Sequence, residues 1–231
     1  MMCAPVWASV TTKGFLLDIY DAMSTLRAVR RLRPDPIPED VLERVLTAAT
    51  WAPSGGNHQS WHIVAVRDGA KKQALEDLYR PHWESYIPGY EAHMAHMPAA
   101  QAESSRRALD AGTYLATHLH EAPVICVFCF NLSHMTVTDA QLDRTTVVGG
   151  GSIYPAVQNL LLAARSEGLG CVLTTLLCME EPAVKEVLNL PEDWHTAAHV
   201  PLGYPVLGGH GPISRKPIER MVSFDTFQGG H

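Results

Sequence analysis

The chain has 231 residues, of which 46% are apolar and 18% charged, and a formal net charge of −6. That balance suits one large domain with a real hydrophobic core and excludes a disordered chain. The acidity argues against a nucleic-acid binder that relies on phosphate contacts. Five cysteines, at 3, 126, 129, 171 and 178, form no disulfide-like framework. No apolar run reaches membrane-spanning length, and the start lacks a basic, then apolar, then small-residue leader. A soluble cytoplasmic protein without nucleic-acid or membrane partners is the expectation.

Residues 1–17 are weakly patterned and read as an N-terminal extension. From Asp18 to Leu26 the spacing of Ile19, Ala22, Met23 and Leu26 predicts a short helix. It leads into Arg27-Ala28-Val29-Arg30-Arg31-Leu32-Arg33, four arginines in seven residues. A charge run is usually a solvated surface, but here it abuts a turn in an otherwise acidic chain, which favours an anion clamp. Pro34 to Pro38 is a stiff link. Glu39 and Asp40 then sit in the first turn of a helix, where acids suit the positive end of the dipole. Val41, Leu42, Val45, Leu46 and Ala49 give it the stripe of a half-buried helix running to about Ala52.

The stretch from Trp51 to Trp61 joins that helix to a strand. Pro53 stops the helix, and Gly55-Gly56 allows a turn through φ > 0 with backbone N–H groups near whatever sits there. Ser54, Asn57 and Gln59 supply small hydrogen-bonding side chains able to read a planar heterocycle. The same residues would also serve an ordinary turn. Residues 61–66 predict a buried strand, and Lys71 to about Leu78 a helix.

Residues 80–107 carry three prolines and three of the twelve histidines with little apolar periodicity, and read as an irregular insertion acting as a lid. His93 and His96 stand three apart without a further ligand beside them, so a surface pair is favoured over zinc. A helix from Leu109 to His120 follows, and then a strand at 124–130. Cys126 and Cys129 lie within that strand and point to opposite faces, so they do not meet as a redox pair.

Gly149-Gly150-Gly151 opens an apolar helix from Tyr154 to Arg165, with Pro155 in the first turn and Gly168 as a C-terminal cap. The glycine run is not a dinucleotide fingerprint after a strand. Residues 169–175 predict a strand running into a loop, 180–188 a short helix, and 199–205 a last core strand. The tail from Gly208 to Phe227 is loop-like and carries Arg215. Without repeats or a domain boundary, one α+β domain over 18–231 is the economical organisation.

Four stretches in this order resemble the FMN-dependent nitroreductase family. Arg27-Ala28-Val29-Arg30 is similar to its Arg-Ser-x-Arg, with Ala28 in place of Ser. Residues 51–61 resemble its A-P-S-x-x-N-x-Q-P-W loop, with Ser60 in place of Pro. Gln158 to Ala164 with Gly168-Leu169-Gly170 resembles its central helix and following strand, and Pro201 to Pro205 with Arg215 and Pro217 its C-terminal signature.

The resemblance implies a mixed sheet flanked by helices in an intertwined homodimer, with FMN at the interface and NAD(P)H as co-substrate. It assigns Arg27 and Arg30 to the FMN phosphate or the flavin edge and Arg215 to the phosphate, and leaves Ala28 only its backbone. Pro53, Ser54, Gly55, Asn57 and Gln59 would line the isoalloxazine, and Thr174, Thr175 and Leu176 would face its N5 side. The implied activity is ping-pong reduction of nitro-aromatics, quinones or similar flat electrophiles, with no protein nucleophile required. Alternatives are a same-fold specialist (flavin destruction, dehalogenation, or reduction of a deazaflavin precursor) and a flavin-binding storage or sensor protein. Arg80, Arg106 and Arg107 are the basic residues of the lid that could grip a 2′-phosphate.

Overall fold

The computed structural model of the chain describes residues 17–229, so nearly all of the expected extension, and Cys3 with it, lies outside the described residues. Four strands, β1 (Trp61–Val66), β2 (Val124–Asn131), β3 (Gly170–Cys171) and β4 (Trp194–Gly203), form one sheet in the order β1-β2-β4-β3. Every pair of neighbours is antiparallel, and the parallel component is a single bridge between Ala28 and Cys171. β2 lies inside the sheet because its run from Val124 to Phe130 offers apolar side chains to both faces. Cys126 and Phe128 pack into one core, while Ile125, Val127 and Cys129 pack into the other. The two cysteines therefore face opposite layers, as their spacing predicts.

The helices are α1 (Ile19–Thr25), α2 (Glu39–Thr50), α3 (Gly69–Met94), α4 (Ala99–His118), α5 (Tyr154–Ser166) and α6 (Glu181–Leu188). On one face of the sheet α2 and α5 bury Leu42, Val45, Ala156, Val157 and Leu160 against Phe128, Ala198 and Val200. Arg44 of α2 ties the pair by a two-point hydrogen bond to Glu167, at 2.8 and 2.9 Å. On the other face α3, α4 and α6 cover Ile125 and Val127 with Leu75, Tyr79, Leu115, Val184 and Leu188. The result is three layers around two apolar interfaces.

Residues 80–107 are not irregular: they belong to a hairpin of two long helices, α3 and α4. Pro81 and Pro88 lie inside α3 on its exposed side, where a backbone carbonyl that loses its helical partner is open to solvent. The apolar pattern is faint because the outer hairpin buries only a narrow stripe, each helix against the other. The two helices approach tightly at Gly112 of α4, whose backbone lies under the Trp83 indole while Trp83 Nε1 donates to Thr113 Oγ1 at 3.0 Å. A Cβ built on Gly112 would lie 2.2 Å from two Trp83 ring carbons. Alanine gains about 1 kcal/mol in helix propensity over glycine, but crowding of this kind costs about 1–3 kcal/mol. Gly112→Ala is therefore expected to lower the urea midpoint and to alter the tryptophan near-UV signal. A variant more stable than the native protein would show that the indole does not press on this backbone.

Candidate functional site

The four arginines at 27–33 divide into two kinds. Arg31 lies over the Tyr114 ring at 4.7 Å, and that ring stacks on His118 at 3.9 Å. Arg33 lies over Tyr204 at 5.3 Å and pairs with Asp35 at 3.4 Å. These two are docking contacts that hold the segment against α4 and the end of β4. Arg27 and Arg30, by contrast, have neither an ion-pair partner nor an aromatic ring beneath them among the described residues. The backbone between them is fixed to β3, where Val29 N–H donates to the Cys171 carbonyl at 2.9 Å. That bond uses the N–H of Val29 rather than of Ala28.

Arg30 opens onto a cavity of about 220 Å³ lined also by Tyr79, Trp83 and Tyr86 of α3, Leu115 of α4, and Thr174, Thr175 and Leu176. The 174–176 wall is held from behind. Thr174 and His199 of β4 exchange backbone hydrogen bonds at 2.9 and 3.0 Å. Thr174 Oγ1 also donates to Tyr79 Oη at 3.5 Å. Burial pushes the Tyr79 phenol above its ordinary pKa, partly offset by Thr174 and the nearby Arg30 cation. One step outward, His82 Nε2 lies 2.8 Å from Glu180 Oε1 and fastens α3 to the turn that follows Leu176. The chemistry available is an arginine, two threonine hydroxyls and a phenol at the rim of an aromatic slot.

The Pro53–Gln59 loop is built as expected but stands elsewhere: none of its residues lines this cavity. Gly56, Asn57 and Gln59 take positive φ of 58°, 56° and 48°. Gly56 is required twice over, since a Cβ there would also meet the His58 ring at 2.9 Å. The Ser54 hydroxyl accepts the Gln59 N–H at 2.9 Å, and the Gly55 N–H donates to Ser152 Oγ at 3.1 Å. The loop's own geometry therefore uses two of the polar groups that the sequence offered to a ligand. Asn57 and the Gln59 side chain are exposed. Arg215 lies on the exposed tail, its Nη1 donating to the Ser214 carbonyl at 2.8 Å. The start of that tail returns to the cluster, with the Gly211 N–H donating to the Thr25 carbonyl at 3.3 Å and Gly211 beside Arg27.

So the structure joins Arg30 to Thr174, Thr175 and Leu176, sets Arg27 and Ala28 on the adjoining segment, and keeps Pro53–Gln59 and Arg215 apart from them. Tyr79, Trp83, Tyr86 and Ser152 were not singled out from the sequence. The three aromatics follow a spacing of four and three, one stripe of a helix, a signal hidden by Pro81 between them and Pro88 just beyond. Among the described residues no group of His, Cys, Asp and Glu is placed to hold a metal. Burial pushes the thiols of Cys126, Cys129 and Cys171 up to about 12, which keeps them protonated. Nor is any helix of the described residues long and apolar enough to cross a membrane.

Comparison with known proteins gives the family. Residues 25–204 match the model of the Nitroreductase family. An NADH dehydrogenase of Thermus thermophilus is 33% identical over 90% of this chain and 96% of its own length. A 5,6-dimethylbenzimidazole synthase of Rhodospirillum rubrum is 32% identical over 78% of each chain. Among solved structures, the NADPH:FMN oxidoreductase of Vibrio harveyi complexed with NAD+ superposes with a TM-score of 0.64 at 24% identity, over 92% of this chain and 79% of that one. The family match takes in the arginine cluster, the Pro53–Gln59 loop and the cavity wall alike, and stops short only of the tail with Arg215: the chain belongs to the nitroreductase family of oxidoreductases.

Proposed function

We propose that the protein is an FMN-dependent oxidoreductase that takes electrons from a reduced nicotinamide nucleotide and delivers them to nitro-aromatics, quinones or similar flat electrophiles. The observation that carries this reading is the cavity: an aromatic slot with an arginine at its rim that no carboxylate neutralises. The residues present fit the cofactor. Arg27 and Arg30 offer a phosphate or an electron-rich ring edge two cations not already spent on ion pairs. Thr174 and Thr175 offer hydroxyls beside the slot, and Leu176 an apolar wall. A bound flavin supplies reversible two-electron chemistry, accepting hydride from the nicotinamide and passing electrons on to the acceptor.

The chain's own part is to bind, orient and exclude water. Arg30 favours negative charge on whatever ring edge it faces, more strongly where water is scarce. Tyr79, Trp83 and Tyr86 present flat faces to planar reactants, and the outer hairpin acts as their cover. In this reading the protein is an intertwined homodimer, and Pro53, Ser54, Gly55, Asn57 and Gln59 line the ring from the second copy while Arg215 reaches the phosphate. Two features support it. The tail exposes Phe224 and Phe227 at 83% and 91%. β1 is an edge strand beside a groove of about 530 Å³ lined by Leu42, Leu46, Trp61 and Ile63.

The test is an absorbance spectrum of the purified protein, followed by anaerobic addition of reduced nicotinamide nucleotide and then of a nitro-aromatic or quinone. Flavin bands that bleach and return are expected, from a species of twice the chain mass of 25.3 kDa. A protein that neither carries nor takes up FMN would remove the proposal. A second reading, a synthase that consumes the flavin with oxygen, is motivated by the Rhodospirillum relative, whose identity nearly equals that of the Thermus one. Product analysis after aerobic reduction separates the two: intact flavin over many turnovers supports reduction of an acceptor, and loss of flavin supports the synthase.

A further inference from the structure

The hairpin of α3 and α4 has few cations to spare. Between Gly69 and His118 it holds five Lys and Arg against six Asp and Glu. Arg80 pairs with Asp77 at 3.3 Å, and Arg106 of α4 reaches across to Glu91 of α3 at 2.9 Å. Arg107 pairs with Glu103 one turn before it. Lys72 is buried and donates to the Ala122 carbonyl at 2.6 Å. That leaves Lys71 at the base of the hairpin, while Glu84 and Asp110 have no ion-pair partner among the described residues.

We propose that the protein uses NADH in preference to NADPH. This rests on the reading of the cavity as the site where nicotinamide meets flavin. Tyr79, Trp83 and Tyr86 climb α3 along the cavity wall, so a dinucleotide with its nicotinamide inside runs its adenosine half outward past Tyr86. There it meets the part of the hairpin that holds these ion pairs. A 2′-phosphate is close to doubly charged at neutral pH, each arginine of the hairpin already faces a carboxylate, and Arg31 beside it is held over the Tyr114 ring. The pairs are exposed and individually weak. What opposes the phosphate is the displaced carboxylate, which is fixed to the same hairpin and stays beside it. The tail cations Lys216 and Arg220 are interleaved with Glu219 and Asp225, and Arg215 is assigned to the flavin phosphate.

The experiment is stopped-flow reduction of the flavin-loaded protein by NADH and by NADPH at several salt concentrations. Beside it, calorimetry measures the dissociation constants of NAD+ and NADP+ on the oxidised protein. The expected result is a second-order reduction constant roughly tenfold or more in favour of NADH, and weaker binding of NADP+ by a similar factor. The gap narrows as salt screens the repulsion. The double variant E91Q/E103Q, which releases Arg106 and Arg107, is expected to improve NADPH and leave NADH unchanged. Equal or faster reduction by NADPH, or a double variant that does not move the ratio, overturns the proposal. Flavin that neither nucleotide reduces overturns the functional reading along with it, whereas flavin reduced best by NADPH overturns only the preference.

Discussion

Arg30→Ala is expected to raise the FMN dissociation constant by roughly 10- to 100-fold, the worth of one charge-assisted contact, while Arg31→Ala leaves it within about twofold. The two residues are neighbours in a run that looks uniform, and the structure separates them. Arg30 is half-buried at the rim of the cavity with Thr174 and Tyr79. Arg31 rests on the Tyr114 ring, which is itself stacked on His118, so its loss costs packing of about 0.5–1 kcal/mol. Titration of the FMN-free variants by flavin fluorescence measures the first effect, and urea denaturation the second. If Arg31→Ala loses as much flavin affinity as Arg30→Ala, the division of the cluster is wrong. If Arg30→Ala binds FMN like the native chain, the cavity is not the flavin slot.

Elements with a strong repeat were legible in the sequence, and those shaped by a partner were not. α2, β2 and α5 fall close to their expected bounds because each buries a broad face, with Leu42 and Val45 placed by periodicity; β1 keeps its bounds but, as an edge strand, is half-buried rather than buried, with only Val66 fully covered. The outer hairpin was missed because it carries Pro81 and Pro88, both exposed, and buries few side chains, its packing resting in part on half-buried Trp83 over Gly112. β4 begins at Trp194, earlier than expected, because His195 and the Thr196 N–H are satisfied by Glu181 at 2.9 and 2.8 Å. Polar residues that look like a loop thus sit inside the sheet. β3 is shorter than expected, since beyond Cys171 the strand pairing with β4 resumes as a single bridge, Thr174–His199. For the site, the motif residues were readable by kind, but which of them share one cavity depends on tertiary packing that no local pattern carries. Arg30 and Thr174 lie far apart in the chain and meet, whereas Asn57, in the strongest motif, stands elsewhere.

Acidification is expected to remove up to roughly 3 kcal/mol of stability through His199 alone, between about pH 6.5 and pH 4. The side chain is 1% exposed on β4, across from Val127, and neither ring nitrogen has a hydrogen-bond partner in the protein. Burial pulls its pKa from 6.5 down to about 4, only partly countered by the Thr174 backbone and Glu181. Above 6.5 the imidazole is neutral in the folded and unfolded chain alike, so it contributes no pH dependence there. Below 6.5 the unfolded chain takes up a proton that the folded chain refuses, and the balance moves toward unfolding until the folded pKa is reached.

Half-buried His210 is shifted in the same direction, chiefly by burial, so the native curve alone does not isolate His199. The difference between native and His199→Leu does. Leucine fills a similar volume without leaving unpaired nitrogens in an apolar layer. The variant is expected to match or exceed native stability at pH 7.5 and to lose most of the slope between pH 6.5 and 4.5 in urea denaturation. A variant that keeps the native slope would show that His199 is protonated in the folded chain and has a partner there. Because His199 braces Thr174 through both backbone hydrogen bonds, the charge that unsettles this layer presses directly behind the cavity wall. Ligand retention is accordingly expected to fail over the same pH range in the native protein and to persist to lower pH in the leucine variant.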